Sequence, residues 1–159
     1  MRIHVLGLAA LALVGLLLCD TGRVLSNDHS RCAAAARARP AGTPPGGIDL
    51  IALLATGGVD GQPVCCCSLR DVADERELGG AAQGRMAFKA FGDDFEAFLE
   101  LTPGTYVYAG MARVADDDSI AIAGVNGRGS LALVTDATAG GWTWTARQDG
   151  MDVGSGTMR

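Results

Sequence analysis

Apolar and polar positions alternate in short runs through the second half of the chain. Met86, Phe88 and Ala90 alternate with polar or small residues, and Phe95, Ala97, Leu99 and Leu101 alternate with Glu96 and Glu100. A period of two belongs to a half-buried strand, and Gly92-Asp93 between the runs suits a tight turn, so a hairpin is expected. The phenylalanines admit a second reading. Phe88, Phe91, Phe95 and Phe98 follow one another at spacings of three, four and three, as on one face of a helix. Gly92 weakens that helix, and the alternation favours strands. After Pro103-Gly104 the runs 106–114, 119–123, 130–135 and 142–147 are rich in β-formers, and 116–118 (DDD), 124–129 (GVNGRG) and 136–141 (DATAGG) divide them. Short strands with turns at this spacing predict an antiparallel meander. Trp142 and Trp144 fall on one face and are expected to cover an edge of the core.

Upstream, 48–55 (IDLIALLA) is a short apolar run with GG on both sides, and its periodicity leaves strand and helix open. Ser68 and Asp71 form a capping-box pattern. Leu69, Val72, Ala73 and Leu78 then recur at helical spacing before Gly79-Gly80. This predicts one short amphipathic helix over 69–78, with Arg70, Asp74, Glu75 and Glu77 on a solvated face. The expected fold is therefore mainly β, an antiparallel meander with one short helix; α+β is the alternative.

The N-terminal pattern differs. Arg2 precedes an apolar run from Val5 to Cys19, about 15 residues, and polar residues follow. That length suits a secretory signal peptide better than a membrane span of roughly 20 residues. The expected organisation is a signal peptide over 1–22, an Ala/Pro/Gly-rich linker over 23–47, a β-rich domain over 48–147 and a flexible or truncated tail over 148–159. The implied location is the secretory pathway or outside the cell, with anchoring through residues 5–19 as the alternative. A net charge of -5 over 159 residues disfavours nucleic acid as a partner, and membrane contact is expected only through an uncleaved leader.

Five cysteines occur: Cys19, Cys32, Cys65, Cys66 and Cys67. If Cys19 leaves with the leader, an even number remains. Disulfides among Cys32, Cys65, Cys66 and Cys67 then fit an oxidising compartment better than a zinc site, which needs spaced ligand pairs. His4 and His29 lie outside the expected domain. No metal, cofactor or catalytic constellation is expected. The Asp triplet lacks the alternation of a calcium loop, and GVNGRG has no helix behind it to hold phosphate.

Ala90, Phe91, Gly92, Asp94, Phe95 and Leu99 resemble the aromatic segment A-F-G-x-D-F-x-L-x-L in the propeptide of ADAM and ADAMTS (reprolysin-type) metalloproteases. Tyr108, Gly110, Ser119, Ala121, Ile122, Gly127 and Gly129 follow in the family's order of Y-x-G, strand and glycine turn. The likeness spans about 87–147. Many family members carry a cysteine pair at the positions held here by Tyr106 and Val125. The stretch between Leu101 and Tyr106 is shorter than in the family. The resemblance implies a non-catalytic propeptide-like domain whose partner is a reprolysin-type catalytic domain, maintaining its latency or assisting its folding. Phe91, Gly92, Phe95, Tyr108, Gly110, Ser119, Gly127 and Gly129 would be structural signature residues. The protease's H-E-x-x-H is absent from this sequence. The alternative is a secreted β-rich binding or structural domain unrelated to proteases.

Overall fold

The computed structural model describes residues 44–55, 69–125 and 127–159, together with the backbone of 66 and 67. Its strands are β1 (Cys66–Cys67), β2 (Asp74–Gly80), β3 (Gly84–Phe91), β4 (Asp94–Thr102), β5 (Thr105–Val114), β6 (Ile120–Gly124), β7 (Gly129–Asp136), β8 (Gly141–Gln148) and β9 (Met151–Met158). From β2 to β9 each strand pairs antiparallel with the next, and β9 returns to β2. The expected meander is therefore present and closes into an up-and-down barrel. The short β1 lies outside this circuit and pairs with the first half of β5.

Alternation fills the inside. Met86 and Phe88, Leu99 and Leu101, Ile120 and Ile122, Leu131 and Leu133, and Trp144 and Ala146 all belong to one buried cluster. A barrel of about eight strands is just wide enough for its own side chains to fill. Small residues such as Ala97, Ala109 and Ala112 share that interior with the bulky ones. One end is closed by a π-helical turn, Ile51–Ala55, which buries Leu53, Leu54 and Ala55. Asp49 starts this cap: its Oδ1 accepts from the amides of Ile51 at 3.0 Å and Ala52 at 3.1 Å. Backbone bonds from Ile48 N to Ala81 O and from Val125 N to Leu54 O fasten it to the strand ends. The apolar run whose type was open is thus this helical cap.

Three expectations are corrected. The helix over 69–78 does not form: residues 74–80 are β2, hydrogen-bonded to β3 and β9. A short isolated helix is marginal in water, whereas here ladders on both sides satisfy the backbone. Leu69 and Val72, read as its apolar stripe, instead pack on the barrel's outer wall. The expected tail contains the strand that completes the circuit, β9, whose Met158 is fully buried. Glycine masked its alternation. A Cβ at Gly156 would collide with the carbonyl of Gly79 and reach within 2.8 Å of Trp144 Nε1. Finally, both tryptophans share the inward face as expected, but only half-buried Trp142 borders the core. Trp144 is fully buried and donates from Nε1 to the carbonyls of Gly79 and Thr157, both at 3.2 Å; Trp142 packs against the same core.

Candidate functional site

Half of the barrel's outside is unlike an ordinary solvated wall. On β3, β4 and β5 the outward residues Ala87, Phe98, Tyr106 and Tyr108 are buried, with Leu69, Val72 and Val125 packed over them. Phe98 and Tyr108 meet edge to face at 5.5 Å between centroids, an arrangement that aromatic quadrupoles favour. The Tyr106 hydroxyl donates to Glu75 Oε1 at 2.7 Å, and Arg85 approaches Glu75 at 3.7 Å and Glu77 at 4.0 Å. Burial and this bond to Glu75 push the Tyr106 phenol up to about 12.

Glu96 sits on the same wall and is 3 % exposed, with no hydrogen-bond partner for its Oε1 among the described residues. Burial disfavours its charged form and raises its pKa, and the nearby charge of Lys89, its cross-strand neighbour, only partly opposes this. Burial, and then the charge of Glu96, raise the phenol of Tyr108.

Beside Tyr108 a shallow, mainly apolar groove of about 480 Å³ runs between β5 and β6, lined by Tyr108, Gly110, Met111, Arg113, Ala123 and Val125. It lies where the register of β4 against β5 slips, between Ala97 and Phe98. Gly110 permits the distortion. Its φ is +150°, and a Cβ there would collide with the carbonyl of Ala123. A second cleft, about 170 Å³, separates the cap from the wall at Leu50, Leu78, Leu99 and Leu101, with Arg85 and Glu100 at its lining.

The uncapped end has its own chemistry. There the inward face of β2 carries Asp74 and Arg76 instead of apolar residues. Arg76 Nε donates to Asp74 Oδ2 at 2.6 Å, and its guanidinium lies 4.3 Å from the centre of the Trp142 ring. Trp142 in turn meets Phe88 edge to face at 5.7 Å.

The signature residues fall into three groups. Gly92 forms the β3–β4 turn between exposed Phe91 and half-buried Phe95. Tyr108 and Gly110 line the groove. Ser119 leads into β6, held by its amide and hydroxyl to Asp117 Oδ1 at 3.1 and 2.5 Å, and Gly127 and Gly129 turn the chain from β6 into β7. Cys32 and Cys65 lie outside the described residues, and so do 1–43, with the leader and most of the linker; Cys66 and Cys67 are placed in β1 by their backbone alone. Sequence reading missed Glu96 and the Arg76–Trp142 pair. The signal for both was parity: Glu96 alternates outward between Phe95 and Ala97, and Arg76 alternates inward with Leu78.

Among the described residues, no group of three or more histidines, cysteines or carboxylates is placed to hold a metal ion, and no helix is long and apolar enough to cross a membrane. No family model, curated protein or solved structure matches the chain.

Proposed function

We propose that this chain is a non-catalytic binding domain of the secretory pathway that engages a protein partner through the β5–β6 groove, and that the partner is a reprolysin-type catalytic domain. One observation carries the sharper half of this reading. Tyr106 and Val125, which occupy the positions of a paired cysteine in the family that the sequence resembles, pack into the same outer cluster. That cluster adjoins the groove, whose lining includes the signature residues Tyr108 and Gly110. Tyrosine and methionine beside an apolar groove suit a docking surface, since aromatic residues and Met are enriched at interface cores. The filled interior supports the same view, because it leaves the surface as the place where a partner is met.

The test is titration of the full chain into a reprolysin-type catalytic domain while peptide hydrolysis is followed. The expected result is saturable inhibition, weakened at least tenfold by Met111→Glu. Absence of both binding and inhibition by a folded chain removes the protease as partner.

A further inference from the structure

We propose that the uncapped end of the barrel is a binding site for a small apolar monocarboxylate, with the carboxylate taken by the Nη edge of Arg76. This site is separate from the groove and does not depend on any protein partner.

The strand alternation that packs the interior puts Arg76 inside the wall, two residues before buried Leu78. Its guanidinium is fixed on two sides. Asp74 holds Nε, and the Trp142 indole, itself braced by Phe88, lies against the flat face. Neither Nη atom has a protein acceptor among the described residues, and the side chain is 25 % exposed. An arginine fork already held in one orientation loses little freedom when it accepts a carboxylate, and two parallel N–H donors match the two oxygens.

The surroundings narrow the ligand. Half-buried Phe95 and Trp142 and the 43 % exposed Val114 supply an apolar rim. Around the same end Asp93, Asp116, Asp117 and Asp118 in the turns and Asp136 at the end of β7 outnumber Arg159, whose charge acts on Asp136, and Asp74 offsets one unit of charge beside the fork. A multiply charged anion such as phosphate is repelled by this ring, while a single carboxylate that buries a hydrocarbon body on the rim gains both contacts.

The experiment titrates the full chain with octanoate, octanol and inorganic phosphate, reading tryptophan fluorescence and the heat of binding. Saturable octanoate binding is expected, at least tenfold tighter than octanol, with no saturable response to phosphate. Arg76→Lys, which keeps the charge but loses the fork, is expected to weaken octanoate at least tenfold at unchanged thermal stability. Asp74→Asn, which keeps a bond partner and removes the competing charge, is expected to tighten it about threefold. Equal affinity for octanol and octanoate, no saturable octanoate binding by the folded chain, or weaker binding in Asp74→Asn would each overturn the proposal. If Arg76→Lys fails to fold, the octanol comparison and Asp74→Asn decide the matter.

Discussion

The two halves of the barrel wall have the same inside and different outsides. Strands β2 to β5 and β6 to β9 both turn apolar residues inward to one core. Outward, β6 to β9 show mostly small or hydroxylated residues, Ala121, Ala123, Ala132, Val134, Thr143, Ser155 and Thr157, all exposed; their charges, Asp136 and the exposed Arg147–Asp152 pair at 2.7 Å, sit toward the strand ends. Outward on β2 to β5 stand Glu75, Arg85, Glu96, Phe98, Tyr106 and Tyr108, several of them buried. Closing a barrel demands only the inner pattern. The second half shows that small, hydroxylated and solvent-exposed charged residues suffice for the outer one, so the buried aromatic groups and buried Glu96 of the first half exceed what the fold needs. Excess of that kind, beside a groove, is where binding is to be sought.

The contrast predicts unequal costs for similar changes. Phe98→Ala on the rich wall should lose about 3–5 kcal/mol, the usual cost of emptying a buried aromatic site, whereas Val134→Ala on the plain wall should stay within about 0.5 kcal/mol. Urea unfolding of both variants measures this, and equal losses would erase the distinction. Next in size is Gly110→Ala. Forcing a Cβ into the β5–β6 seam at positive φ should destabilise by about 2–3 kcal/mol, whereas Ala123→Gly, across the seam, should lose about 1 kcal/mol.

Glu96 should make stability depend on pH. Its carboxyl binds a proton more readily in the folded barrel than in the unfolded chain. Stability is therefore full below the ordinary carboxylate range and falls as pH rises through the raised folded value. Glu96→Gln should abolish that slope and gain about 1 kcal/mol at neutral pH. A stability that rises with pH in this range, and does so because of Glu96, would contradict the assignment. The smallest effect is expected at Tyr106. Tyr106→Phe should lose about 1 kcal/mol with its bond to Glu75. In the wild type, stability should decline as pH rises from the ordinary tyrosine value near 10 through about 12, because the folded state holds the proton longer.

Much of this fold was legible in the sequence, for reasons visible residue by residue. The runs that became β3 to β8 alternate, except where the outer wall of β4 and β5 is also apolar, and Gly92-Asp93, Pro103-Gly104 and the Asp-rich turns punctuate them. Closure was not legible, because both strands of the β2–β9 seam disguise their period. In β2, Arg76 and Asp74 occupy inward positions that an apolar residue would have announced. In β9, Gly154 and Gly156 do so, making room for Ile48 and Trp144. The four phenylalanines show why a helical stripe deceives. As strands they divide by parity, Phe88 and Phe95 inward, Phe91 and Phe98 outward. Of the candidate site, Tyr108 and Gly110 were singled out from the sequence. Glu96 was not, since a lone glutamate in an alternating run reads as solvated until the chain that buries it is in place.

Binding is expected on the rich wall. The most direct test compares two single substitutions of equal chemistry on opposite walls, Met111→Glu in the groove and Thr145→Glu on β8, by measuring the Kd of each full chain for a reprolysin-type catalytic domain. The expected result is at least a tenfold loss for Met111→Glu and no change for Thr145→Glu. Equal effects, or a loss confined to Thr145→Glu, would contradict it.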